Sequence, residues 1–409
     1  MINRREEGFT LVELMITMVV FVFVIAGASQ VFTALLTQFK QQNKMAETHI
    51  EGAVGLNILR RDIEHAGYGL PWIIPPGVAY KEAYVIDTPV DTPWVDRDLN
   101  DGPEDNPARG SEAANTLHPP GAIRSLNDKY NAVSWTECVP AGPNCSDVLT
   151  IKSVNVAMND ISQAWTHLDF LNAKENGLSG ESFDGSAADT DRVTVLSPGT
   201  SDVNRRSLVV YTDPVSGAKS WFTTFNNTAN FKPPNVGQTY VVYGIRRGGD
   251  PLMPFNRADY YIRRPASGMP PACAPNTGIL YKAVLAHIDN GGHGSTTLTE
   301  YPLMSCVANL QVVYNMNGVW TNDISSSTAA NLRAQLREVR VYILAQEGQK
   351  DRNYTHRVSD DDKAMCGGSE TAIYVGDRNI GLGQCFDFTD AYKNYRWRLY
   401  NLVIQPANL

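Results

Sequence analysis

The chain has 409 residues, 43% of them hydrophobic and 19% charged, with a formal net charge of −8. That length can bury a large core. The acidic balance, with no long basic run beyond the first residues, argues against nucleic acid as the main ligand, because phosphate contacts need clustered Lys and Arg.

The first eight residues are short and polar, with Arg4 and Arg5 supplying positive charge. Phe9 to Leu36 is then almost wholly apolar, longer than the roughly 20 residues a membrane helix needs. The flanking arginines place the N-terminus on the cytoplasmic side and the rest of the chain outside. A secretory signal would have a shorter apolar core and a small-residue cleavage site after it. Here the run continues without proline into a stretch where Met45, His49, Ala53, Leu56, Leu59, Ile63 and Ala66 recur at helical spacing. Gly67, Gly69 and Pro71 read as the stop. One helix from about Phe9 to Ala66 is expected, with Gly27 as its only soft point. Packing of His49 and His65 against the rest of the protein explains them better than metal ligation does.

Glu13 is the odd residue in the apolar run. A carboxylate there costs about 2.5–3.5 kcal/mol on insertion scales, although a position near the helix start and its dipole relieves part of that cost. The stretch Gly8-Phe9-Thr10-Leu11-Val12-Glu13-Leu14-Met15 strongly resembles the type IV prepilin signature. The resemblance implies cleavage between Gly8 and Phe9 by a prepilin peptidase and N-methylation of Phe9. It further implies that Glu13 pairs with the Phe9 amine of a neighbouring subunit, so that two costly buried charges neutralise each other only in the correct register. Unlike many major pilins, the membrane helix lacks proline, so no proline-linked melted segment is expected.

Residues 70–145 are rich in Pro, Gly, Asp and Asn and read as extended loops or an insertion. Short alternating segments then predict strands at Asp147–Ser153, Arg192–Leu196, Ser207–Thr212, Thr239–Ile245, Tyr260–Arg263, Ile279–Leu285, Leu310–Tyr314, Glu338–Ala345 and Arg396–Ile404. A short helix is predicted over Ala329–Arg337. A helix followed by many strands gives an α+β class with antiparallel pairing. The stretches SDVLTIKS, VANLQVVYNMNG, LREVRVYILAQ and YRWRLYNLVIQPANL resemble the PilW-type minor pilins. That resemblance implies a type IV pilin-like fold, a long N-terminal helix packed on an antiparallel β-sheet, and a role in priming pilus assembly or at the tip. The added length places an extra module within residues 70–145 or 155–235.

The six cysteines are Cys138, Cys145, Cys273, Cys306, Cys366 and Cys385. The even count fits three disulfides formed in an oxidising compartment, and pairing of sequence neighbours is the simplest of 15 connectivities. Free buried thiols are the alternative; zinc is disfavoured, because no CxxC or neighbouring His has ligand spacing. Asp96, Asp98, Asn100, Asp101 and Asp105 offer alternating oxygen donors for Ca2+. An EF-hand counted from Asp96 would need Gly and Glu where Asp101 and Pro107 stand, so a solvated acidic turn is the competing reading. Ser359-Asp360-Asp361-Asp362 is a weaker example of the same pattern. Trp397, between Arg396 and Arg398 on an expected strand, reads as a core ring with solvated charges on the other face. No HExxH, GxSxG or phosphate-binding loop is present, so no enzyme is expected.

The expected domains are a cleavable leader over residues 1–8, a membrane half of the helix over 9–36, an amphipathic half over 37–66 and an extracytoplasmic head over 67–409. Expected partners are prepilin peptidase, other minor and major pilins and the inner-membrane assembly platform. Expected locations are the inner membrane, as a single-pass protein, and then an extracellular pilus or periplasmic filament. Two further readings stand beside the minor pilin: a minor pseudopilin of a type II secretion system, and a filament-displayed adhesin contacting a surface through residues 70–235.

Overall fold

A computed structural model describes residues 10–84, 99–101, 119–131, 138, 144–175, 177–178, 181–186, 190–199, 205–289 and 294–409. The first element is α1 (Leu11–Glu64), 54 residues without a break and about 81 Å long at 1.5 Å per residue. Gly27 lies inside it and causes no interruption. His65 caps its end, its backbone N–H donating to Arg61 and Ile63, and Gly67 and Gly69 follow with positive φ.

The main sheet holds seven strands in one antiparallel order. They are β1 (Ile123–Asn131), β2 (Cys145–Ser153), β3 (Asn256–Arg263), β4 (Gly278–Leu285), β5 (Leu298–Met316), β6 (Leu336–Glu347) and β7 (Arg396–Ile404). Spatial order equals chain order, so the frame is a meander in which each strand pairs with the next. Val319–Thr321 adds a short eighth strand against the end of β5. Between β6 and β7 the register runs unbroken from Val339↔Ile404 to Glu347↔Arg396.

Longer excursions interrupt the meander. Between β2 and β3 lies a five-stranded sheet ordered Trp165–Asp169, Thr239–Arg247, Asp191–Ser197, Ser207–Leu208, with Phe222–Thr224 also against Asp191–Ser197. It has its own core, including Leu168, Phe183, Val193, Val195, Phe225, Phe231 and Val242. Between β6 and β7 lies the hairpin Ala372–Asp377/Leu382–Asp387.

Strand β6 shows why the layers stack this way. Its side chains alternate with period two. Val339, Val341, Ile343 and Ala345 join the large core that includes Leu56, Leu59 and Ile63 of α1, while Tyr342 and Leu344 join the core beneath the hairpin. A sheet covered on both faces buries most of such a strand, as seen here from Val341 to Gln346.

Several expectations are corrected. Residues 70–145 are not loop throughout, since β1 lies within them. The stretch Ser207–Thr212 forms two short strands, Ser207–Leu208 and Tyr211–Thr212, in different sheets. The packed face of α1 is Gly52, Gly55, Leu56, Leu59, Asp62 and Ile63, whereas His49 and Ala53 are exposed. Glycines let the helix backbone approach the sheet, and an ion pair admits Asp62, so the face follows contacts that apolar periodicity does not register.

Candidate functional site

The described part of the site begins at the helix start. Thr10 is the N-cap: its Oγ1 accepts from the Glu13 backbone N–H at 3.3 Å. In return Glu13 Oε2 accepts from the Thr10 N–H and the Thr10 hydroxyl, both at 3.0 Å. This reciprocal capping box satisfies N–H groups that the first helical turn cannot. It also fixes the Glu13 carboxylate at the helix base through Oε2, leaving Oε1 without a hydrogen bond to any described residue. Gly8 and Phe9 lie outside the described residues.

Every residue from Leu11 to Lys40 is exposed. The run includes Phe21, Phe23, Val24, Ile25, Phe32 and Phe39, far more contiguous apolar surface than a soluble monomer leaves in water. This stretch meets the length and composition of a membrane span.

The upper half of α1 is fastened to the head by three kinds of contact. At Gly55 the helix backbone meets β5: a Cβ at this position would lie 2.2 Å from the Leu303 carbonyl oxygen. Glu51 accepts from the Ser305 backbone N–H (3.1 Å) and hydroxyl (2.8 Å). Asp62, buried, pairs with Lys282 of β4 and accepts from the Tyr260 hydroxyl of β3. Burial, reinforced by the Asp62 charge, pushes the Tyr260 phenol well above its usual range, so it keeps its proton and donates it. These residues were missed because glycine and aspartate score against a buried helix face. The signal available was their i, i+3 and i, i+7 spacing on one side of the helix, in line with Leu59 and Ile63.

Of the five proposed calcium ligands, the structure describes Asn100 and Asp101. Asp96, Asp98 and Asp105 lie outside the described residues. The two described members are taken by protein groups, which corrects the expectation for them. Asn100 Oδ1 accepts from Arg257 Nη1 at 2.6 Å. Asp101 lies 2.7 Å from Lys152 Nζ and accepts from Arg124 Nε at 2.9 Å. Burial would raise the Asp101 carboxyl, but Arg124 and Lys152 outweigh it and hold the group far below the usual range. With Glu82 2.7 Å from Lys152 and Asp259 2.8 Å from Arg257, three carboxylates face three cations in the interior, and their charges cancel. Ser359-Asp360-Asp361-Asp362 is likewise a helix start: Ser359 caps α3 (Asp360–Met365), and Asp362 pairs with Arg378 at 2.6 Å. Among the described residues no cluster of three or more His, Cys, Asp or Glu could hold a metal.

The cysteines form Cys138–Cys145, Cys273–Cys306 and Cys366–Cys385, with Cα separations of 6.3, 4.9 and 5.8 Å. They join the β1–β2 connection, β5 and the hairpin to their surroundings. Trp397 is buried in the hairpin core, while Arg396 and Arg398 pair with Asp351 and Glu347. His65 sits at the helix end, its Nδ1 3.3 Å from Asn155 Nδ2.

Residues 3–29 match the family model described as the prokaryotic N-terminal methylation motif. No curated protein matches the chain. Among solved structures, a type IV-like pilin from Thermus thermophilus aligns with a TM-score of 0.21 and 12% identity, over 38% of this chain and 69% of that one. The chain thus joins an N-terminal methylation motif to a long helix packed on an antiparallel sheet, an α+β fold.

Proposed function

We propose that the chain is a minor pilin that primes type IV pilus assembly or occupies the pilus tip. The observation that carries this reading is the division of α1: Leu11–Lys40 is bare, while Gly52–Ile63 is locked onto the sheet. The bare half needs a cover, lipid first and neighbouring helices later, and burial of apolar surface drives both steps.

In this reading residues 1–8 are a leader, cut between Gly8 and Phe9 by prepilin peptidase, which then methylates Phe9. Residues 9–36 cross the inner membrane with the N-terminus inside, residues 37–66 form the amphipathic half of the helix, and residues 67–409 form the head outside. Glu13, held at the helix base with Oε1 open, pairs with the amine of an adjoining minor or major pilin at the assembly platform. The inserted five-stranded sheet widens the head, and such bulk is accommodated at a filament end more readily than at every step of a close-packed shaft.

The test is to label the protein in its own cells and to delete it. Label at pilus ends, with fewer pili on deletion, is expected. Label spaced evenly along shafts, or unchanged pilus number, would overturn the reading. Label confined to a secretion complex would support the pseudopilin reading instead.

A further inference from the structure

At the end of α1 far from its apolar half, the chain turns across Trp72. Three guanidinium groups surround this indole. Their carbons lie 5.6 Å (Arg205), 4.9 Å (Arg206) and 5.2 Å (Arg333) from a ring centroid, each within cation–π range. Arg205 and Arg206 precede the short strand Ser207–Leu208, whereas Arg333 comes from α2 (Ala329–Gln335), more than 120 residues later in the chain.

The cluster is built in place. Arg206 Nη1 donates to the Gly67 carbonyl at 3.0 Å and to the Asn408 carbonyl at 2.8 Å. The Trp72 backbone N–H donates to the Arg206 carbonyl at 3.0 Å, and Ile73 bridges to Ser207. The Trp72 backbone and the Arg206 guanidinium are therefore fixed by backbone contacts, not left free on a loop.

The charges of Arg206 and Arg333 are also uncompensated among the described residues. Elsewhere in the head, Arg124 pairs with Asp101, Arg257 with Asp259, Arg263 with Glu300 and Arg340 with Asp377. Among the described residues Arg206 and Arg333 have no carboxylate partner. Burial makes both positive charges harder to hold; the Arg206 guanidinium adds to this at Arg333, while at Arg206 the Tyr243 and Tyr68 phenols work against the burial and the Arg205 charge. Like charges held together around one ring repel each other unless an anion joins them.

We propose that Trp72, Arg206 and Arg333 form a binding site for an oxyanion, a phosphate or carboxylate group. The guanidinium fork of Arg333 would meet the anion in bidentate fashion. Arg206 supplies a second charge from a fixed position, and the indole supplies a flat, weakly hydrated wall. The site lies at the opposite end of the helix from the apolar half, and it does not depend on whether the filament is a pilus or a secretion pseudopilus.

The experiment uses the full-length protein in detergent micelles. Thermal unfolding is followed in potassium chloride, potassium phosphate and potassium acetate at equal ionic strength, with 31P line broadening as a direct measure of phosphate binding. A saturable rise in Tm with phosphate above chloride assigns a phosphate ligand; a larger rise with acetate assigns a carboxylate. Arg333→Gln should weaken the effective anion at least about tenfold, or about 1.4 kcal/mol, with an anion-free Tm close to that of the parent. Arg337→Gln, four residues along the chain and outside the cluster, serves as the control for loss of one positive charge. No rise above chloride with either anion, or equal losses in the Arg333 and Arg337 variants, would overturn the assignment.

Discussion

Gly55 of α1 and Leu303 of β5 meet backbone to backbone, with room for a hydrogen atom and nothing larger. A methyl group at Gly55 would press on a carbonyl that no rotamer change can move aside. Gly→Ala in a helix interior ordinarily gains about 1 kcal/mol in helix propensity, while overpacking at a tight contact costs about 1–3 kcal/mol. The clash should win here. Gly55→Ala is expected to lower head stability in denaturant unfolding. Gly27→Ala, with no atom within 4 Å of its Cβ position, should leave the head unchanged. A Gly55→Ala variant as stable as the parent would show that α1 and β5 can slide apart without cost.

The buried pair Asp62–Lys282 makes a sharper test of how the helix is joined to the head. Both residues are under 10% exposed, and Tyr260 donates to the same carboxylate. Removing one partner strands the other charge in the interior, a cost of about 3–5 kcal/mol. Asp62→Ala should therefore unfold at markedly lower denaturant. Asp62→Leu combined with Lys282→Met should recover much of the loss, since apolar replacement of a whole buried pair is often neutral or better. A double variant no more stable than Asp62→Ala would mean that the pair supplies attraction that apolar packing cannot replace.

His287 gives the head a definite acid response. Its ring is buried, Nδ1 accepts from the Leu252 N–H at 3.0 Å, and Nε2 lies 2.9 Å from Asn256 Oδ1. Burial, with Arg246 adding like charge, pulls its pKa down to about 3. The folded state thus binds this proton less readily than the unfolded state, where His titrates near 6.5. Its contribution to stability is complete above pH ~6.5 and falls as pH drops toward ~3, by up to about 1.4 kcal/mol per pH unit. His287→Gln should flatten the stability–pH curve in that window and change little above pH 7. Parallel curves for the two proteins would contradict this assignment.

How far the fold could be read from the sequence depended on whether each element shows its reason in apolar spacing. The strands at Glu338–Ala345 and Arg396–Ile404, and the uninterrupted helix, are legible because their apolar residues recur at regular spacing or in an unbroken run. Strand β1 is not: its IRSLNDKYN carries Asp128 at φ 49°, where the register with β2 shifts, and a bulge breaks period two. The hairpin Ala372–Asp387 escapes for another reason. Gly376 faces Gly383 directly across it, and glycine inside a strand reads as a breaker. At the candidate site, Glu13 stands out as a charge in an apolar run, whereas Trp72, Arg206 and Arg333 are separated by over 120 positions and meet only through the tertiary fold.

The helix-capping role of Glu13 and its proposed assembly role are separable, and one substitution divides them. As N3 of the capping box it accepts from Thr10 and starts the helix; as a negative charge it is proposed to hold a neighbour's amine. Glu13→Gln keeps an oxygen able to accept from Thr10, since Gln also serves at N3, but carries no charge. Membrane insertion and helix content should therefore match the parent by fractionation and circular dichroism. Entry into filaments should fall well beyond tenfold, because a buried amine left without its partner costs about 3–5 kcal/mol. Thr10→Val removes the hydroxyl cap and keeps the charge, so it should cost only about 1 kcal/mol of helix-start stability and still enter filaments. Wild-type entry by Glu13→Gln, measured on sheared and purified filaments, would reduce Glu13 to a helix cap and leave the register of assembly to the apolar face alone.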